Sequence, residues 1–184
     1  MSEIIDGELT LENIQGNEEI FINAKNGGTD MFKEIRRKER KMDQEATLQL
    51  LKSGDYGVLS MAANNDYAYG VPLSYVYING AIYFHCATEG HKLEILGRNN
   101  KVSFCVVGQT KPLPEQFSMR YQSVIVFGKI EEVEVEEKRE SLIAFLKKYA
   151  TGNMEKGMIY LEKNQDRTKV LKLTIDHLSG KNRK

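Results

Sequence analysis

The stretch YGVPLSYVYINGAIYFHC, residues 69–86, decides how the chain folds. At its centre Asn79-Gly80 is the dipeptide best suited to a two-residue β-hairpin, because both positions need a positive φ that these residues tolerate. On either side stand runs rich in Val, Ile, Tyr and Phe, from Tyr69 to Ile78 and from Ala81 to Cys86. Such runs read as strands. Pro72 lies inside the first and withdraws a ladder donor, which places that strand at an edge or a bulge.

Upstream, Tyr56-Gly57-Val58-Leu59-Ser60-Met61 reads as another strand, followed by a turn at Asn64-Asn65-Asp66. Before it, Asp43 can cap a helix whose apolar positions Ala46, Leu48, Leu50 and Leu51 lead to a stop at Gly54. Downstream, a short helix fits His91 to Gly97, and strands fit Lys101–Val107 and Tyr121–Val135, the second bending at Gly128. Leu142, Phe145, Leu146 and Tyr149 recur at helical spacing, with Glu136-Glu137 before them and Lys147-Lys148 at the end. Lys169–Ile175 closes the pattern as a strand with Leu171, Leu173 and Ile175 on one side. The expected class is α+β, an antiparallel sheet of about six strands with three short helices. Closing that sheet into a small barrel would remove its edges.

Residues 1–30 stand apart, with seven acidic side chains against the single Lys25, and read as an extension partly disordered or draped on the surface. Residues 31–184 then form the folded domain. The formal net charge is zero, so no global field draws nucleic acid or an anionic membrane to the chain. No apolar run is long enough to span a bilayer, and the first residues lack the pattern of a signal peptide. A cytoplasmic location is the expectation. Cys86 and Cys105 lie in strand-like stretches and are expected to be reduced and buried.

The chemistry gathers around the same hairpin. An edge strand carrying Pro72 exposes backbone amides and carbonyls that can hydrogen-bond a flat heteroaromatic ring. Gly90 precedes a helix start, with His91 and Lys92 in the first turn, a pattern that suits a phosphate. A solvated turn is the plain alternative for these residues. For His85, at a strand end, the plain alternative is a hydrogen-bonded rim histidine. Zinc at His85, Cys86 and His91 is disfavoured, because adjacent strand residues point to opposite faces. Tyr67, Tyr69, Tyr75, Tyr77 and Tyr83 lack the basic stripe of a single-stranded nucleic-acid platform and read as packing.

The run from Tyr69 to Gly108, followed by YQSVIVFGKI from Tyr121 and LTIDHLSGK from Leu173, resembles the Nim-type nitroimidazole reductases. These belong to the FMN-binding, pyridoxamine 5′-phosphate oxidase-like split-barrel superfamily, and the resemblance spans about Ile35 to Lys181. It implies a split β-barrel, an FMN cofactor and a homodimer with the flavin at the subunit interface. Val71, Pro72, Leu73 and Ser74 match the strand along the isoalloxazine ring. His85 matches a residue beside the ribityl and phosphate region that is also a candidate for contacting substrate. His91 and Lys92 match the phosphate-binding turn. Ser123, with Gln122, matches a position reaching the flavin from the partner subunit. Arg36 and Arg37 match a basic segment that reads as solvated charge. The implied activity passes electrons from a donor such as NAD(P)H through FMN to a small planar acceptor. The chain has no Trp and ends without the arginine-bearing motif of true pyridoxamine phosphate oxidases, which argues against vitamin B6 oxidation. A flavin or haem carrier or sensor on the same barrel is the alternative, with His177 as the nominal axial ligand.

Overall fold

The computed structural model describes residues 31–63, 65 and 67–184. The acidic extension and the turn residues Asn64 and Asp66 lie outside the described residues. Seven strands follow among them: β1 Tyr56–Ala62, β2 Ala68–Ser74, β3 Val76–Ile78, β4 Ala81–Cys86, β5 Lys101–Leu113, β6 Ser118–Glu132 and β7 Lys169–Arg183. They form one sheet in the order β2-β1-β5-β6-β7-β4-β3, with every neighbouring pair antiparallel.

The expected count of about six strands becomes seven because the run from Tyr69 to Ile78 breaks at Tyr75. Tyr75 is fully buried, and its hydroxyl donates to Leu51 O at 2.5 Å. The strand on either side therefore cannot continue straight. The break also explains the barrel. β2 and β3 are the two edges of the sheet, yet only Tyr75 separates them in the chain. A sheet whose opposite edges meet at one residue must be rolled. No ladder joins β2 to β3, so the roll is split rather than closed by hydrogen bonds. Pro72 does lie on an edge strand, the place in a sheet that tolerates a missing N–H.

Among the described residues four α-helices decorate the sheet: α1 Gln44–Ser53, α2 His91–Leu96, α3 Val135–Tyr149 and α4 Met154–Asn164. The Asp43 carboxylate accepts from Ala46 N–H at 2.7 Å, satisfying one orphan donor of α1. Val135 opens α3 instead of ending β6, and α4 has no counterpart in the sequence reading. The Asn79-Gly80 turn joins β3 to β4 with φ of 49° and 75°, as a primed hairpin turn requires.

Inside the roll, residues of six strands pack with Leu51 of α1 and Ile95 and Leu96 of α2. Phe104 is the hub, edge-on to Tyr75 at 4.9 Å and to Phe84 at 5.0 Å between centroids. Each such buried side chain contributes roughly 1.5–3 kcal/mol. Outside the roll, Phe145 of α3 covers Val76, Ala81, Tyr83 and Val170, a second and smaller core. β6 and β7 lose register between Phe127 and Gly128, the bend expected at that glycine. A Cβ at Gly128 would run into the Thr174 carbonyl, so only glycine allows this approach.

Candidate functional site

β2 is open on one side. Val71 and Leu73 turn partly inward onto the main core, while Pro72 and Ser74 face solvent. Its backbone has β1 on one flank and no strand on the other, so alternate polar groups remain available to a ligand.

The turn before α2 lies against this strand. His91 meets the Tyr69 ring edge-on, 5.0 Å between centroids, and its Nδ1 lies 3.1 Å from the Glu94 carboxylate. Gly90 takes φ 134°, and its carbonyl accepts from Leu93 N–H at 2.9 Å and Glu94 N–H at 3.3 Å. The amides of His91 and Lys92 precede these bonds and have no acceptor earlier in the helix. Lys92 is half-buried, and its charge is felt at both His85 and Cys86.

His85 sits at the end of β4, facing away from the main core. Its ring stands edge-on to Phe145 of α3 at 4.5 Å and 87°. Burial against α3, and then the Lys92 charge, hold its pKa below the ordinary histidine value. At neutral pH it is therefore a neutral imidazole. Cys86 points the other way, into the main core, as strand alternation demands. Burial pushes its thiol up while Lys92 and Lys169 pull it down. Cys86 and Cys105 are both half-buried and unbridged. Among the described residues no group of three or more His, Cys, Asp or Glu side chains could hold a metal.

The chain thus brings Val71, Pro72, Leu73, Ser74, His85, His91 and Lys92 to one edge of the roll. It does not bring Gln122 and Ser123 there. Both lie on β6, three strands from β2, a lateral step of about 14 Å at ~4.8 Å per strand. Ser123 pairs with Val107 and Lys181 on the outer face. Arg36 and Arg37 are exposed, as solvated charges should be. The His177 ring is stacked on Phe32 at 4.8 Å and 8°.

Sequence reasoning missed the supports of this edge. Tyr149 of α3 accepts from Tyr75 N–H at 3.1 Å, and its oxygen lies 2.6 Å from Asp55 O and 2.7 Å from Tyr75 O. Lys148 donates to Gly54 O at 2.6 Å and Tyr75 O at 3.1 Å, its ammonium 4.2 Å from the Tyr75 ring centroid. Two consecutive residues of α3 so fix the corner where β2 ends, and Phe145, one turn earlier, fixes His85. Helical spacing announced that these residues share a face, but not what the face would meet. The donor set as a whole suits a flat polar ring carrying a phosphate: an open strand edge, two unpaired amides and one ammonium.

The family model described as pyridoxamine 5′-phosphate oxidase matches residues 43–182. The chain belongs to the pyridoxamine 5′-phosphate oxidase family. Solved structures share its fold. A "putative 5-nitroimidazole antibiotic resistance protein" from Bacteroides thetaiotaomicron is 26% identical over 77% of this chain and 86% of that one, with a TM-score of 0.65. A flavocytochrome from Azotobacter vinelandii shares the fold at 20% identity and a TM-score of 0.70, covering 85% and 75% of the two chains. An FAD-binding protein from Mesorhizobium loti does so at 20% identity and a TM-score of 0.58, over 79% and 98%. No curated protein matches this pyridoxamine 5′-phosphate oxidase family chain in sequence.

Proposed function

We propose that this chain binds FMN and acts as an oxidoreductase of the nitroimidazole-reductase kind, as a homodimer with the flavin at the subunit interface. The observation that carries the reading is the meeting of three elements at one edge: the proline-bearing strand β2, the Gly90–Lys92 turn held to it through Tyr69 and His91, and His85 within the field of Lys92. Two relatives in fold are described as a flavocytochrome and an FAD-binding protein, and the 26% identical relative as a nitroimidazole resistance protein.

In this reading the backbone of Val71–Ser74 hydrogen-bonds the polar rim of the ring. Lys92 and the amides of His91 and Lys92 neutralise the phosphate. His85 holds one proton on a neutral ring and offers it as a hydrogen-bond donor beside the ribityl chain or the acceptor. Bound flavin would supply the electron chemistry, taking reducing equivalents from a donor such as NAD(P)H and passing them to a small planar acceptor. Gln122 and Ser123 reach the flavin only from a partner. The outer face around Ser123 favours such a partner, since Val58, Val107, Ile125 and Phe127 are 38%, 60%, 40% and 36% exposed. Val58 and Ile125 flank Cys105 in register, which makes the patch continuous.

The test is a titration of the full chain with FMN, read by quenching of flavin fluorescence. Lys92→Ala is expected to weaken binding by about 10- to 100-fold, the usual worth of one charge-assisted contact. Unchanged affinity in that variant, or no binding by the parent, would refute the phosphate assignment. Oxidation of NADPH with a nitroaromatic acceptor then separates an enzyme from a flavin carrier.

A further inference from the structure

A second concentration of positive charge lies on the same outer face, away from the Gly90–Lys92 turn. It is built by three segments. The turn Lys38–Arg40 runs into Lys41, which bridges to Lys181, and Met42 N–H donates to Gly180 O at 3.0 Å. This stitches residues 40–42 along the free edge of β7. On the other flank of β7, Tyr121 stands opposite Arg183 and Ser123 opposite Lys181. Directly opposed residues share a face, and so do residues two apart on one strand. Tyr121, Ser123, Lys181 and Arg183 therefore project from one side of the sheet.

Onto that side Arg40 reaches from the turn. The Lys181 ammonium lies 6.0 Å from the Tyr121 ring centroid, and the positive charges of Lys181 and Arg40 both act on the Tyr121 phenol. The Arg40 side chain is only 19% exposed, and the nearest carboxylate, Glu39, stands 3.8 Å from its Nε and is itself 69% exposed. That pair is loose and wet, so it leaves most of the guanidinium charge unanswered. Asp43, the next acid in this segment, is occupied in capping α1. The inner side of this cluster meets the Tyr121 phenol oxygen, and a neutral acceptor cannot balance two cations. Burial would raise the Tyr121 pKa, but the hydrogen bonds and charges of Arg40 and Lys181 outweigh it and bring the phenol below its ordinary value. The field at this point is thus strong enough to draw negative charge.

We propose that Arg40, Tyr121 and Lys181, with Arg183 beside them, form a binding site for the phosphate group of a nucleotide ligand, separate from the one at Lys92. Arg40 offers a planar fork for two phosphate oxygens, Lys181 a mobile ammonium, and the Tyr121 hydroxyl a further donor. A phosphate dianion answers both cations at once. The site's position two residues from Ser123 on the same face sets the ligand next to the surface assigned above to the subunit interface. A nicotinamide nucleotide donor, which the chain has no glycine-rich fingerprint to hold, carries the right chemistry. The binding site itself does not depend on the flavin reading.

The test uses the full chain with tyrosine labelled at Cζ with carbon-13, the Tyr121 resonance being assigned by Tyr121→Phe. Inorganic pyrophosphate is titrated at low salt. The Tyr121 signal is expected to shift in a saturable way, with at least about 10-fold weaker binding in the double variant R40Q/K181M. Lys92→Ala should leave the Tyr121 response in place, and so should saturation with FMN. If the double variant does not fold, Lys181→Met alone should weaken the response and Lys181→Arg should restore it. A Tyr121 signal that never moves, or moves equally in Lys181→Met, overturns the site. A response lost on adding FMN or in Lys92→Ala overturns its separateness and assigns the cluster to the cofactor's own phosphate. Failure of FMN to bind would leave the pyrophosphate result readable.

Discussion

His85 and His177 are both kept below the ordinary histidine pKa, His85 by burial and then Lys92, His177 by burial and then Lys41. The unfolded chain has no such restraint, so its histidines protonate near pH ~6.5. Above that value both states are neutral and the difference vanishes. As the pH falls below it, the unfolded state takes up protons that the folded state resists, and stability declines until the folded groups titrate too. The urea midpoint is therefore expected to drop between pH 7.5 and 5.5, and the double variant H85N/H177N should flatten that slope. A midpoint that rises on acidification would contradict the lowered pKa of both rings. The Lys172 and Tyr83 hydrogen bonds hold the Glu137 carboxyl below its usual range, so it titrates below this window. At this scale the sequence singled out residues that the fold then gathers at one edge. Gly90-His91-Lys92 and His85 carry local signals that need no knowledge of the fold. What local signals could not supply are the contacts across the chain, Phe145 on His85 and Tyr69 on His91.

The elements tell a similar story, with the errors concentrated where local chemistry and tertiary position disagree. β5 and β6 run on to Leu113 and from Ser118, well past the expected limits. The extra ribbon contains Pro112 and Pro114, which argue against strand in any local reading. It is tolerated because beyond the irregularity between Val107 and Thr110 the ribbon has no neighbour on its β5 side. α4 was invisible for another reason: Asn153 gives it no side-chain cap, and Gly157 interrupts its periodicity. Gly157 instead admits Leu146, whose side chain would crowd a Cβ there. Gly128 was legible, because a glycine in a long strand marks a bend. Its replacement by Ala is expected to destabilise the fold by about 3 kcal/mol or more, since the added methyl meets a backbone carbonyl that cannot step aside. Thermal unfolding of Gly128→Ala measures this. A loss within a few tenths of a kcal/mol would mean that the β6–β7 slip is soft.

For the whole molecule, the rolled sheet divides its two faces between different tasks. The inner face is filled by the core around Phe104, and α3 covers the outer face only over β3, β4 and β7. The outer side of β1, β5 and β6 keeps Val58, Val107, Ile125 and Phe127 exposed beside Cys105. A monomer gains nothing from a continuous apolar patch in water, whereas a second copy laid on it would bury the patch and bring Ser123 across to the partner's β2. Ile125 lies near the centre of that patch, paired with Cys105 on one flank and Ser179 on the other. Ile125→Asp leaves the core untouched, because the side chain points outward, but sets a carboxylate where the proposed interface would have to be dry. Dimerisation should weaken by about 30-fold or more, the worth of one central interface residue. Sedimentation equilibrium reads the assembly and flavin fluorescence the cofactor, and the two should fail together if the partner's Gln122 and Ser123 complete the site. A variant that became monomeric yet kept FMN as tightly as the parent would show that one subunit holds the flavin by itself, and the interface would then need another purpose.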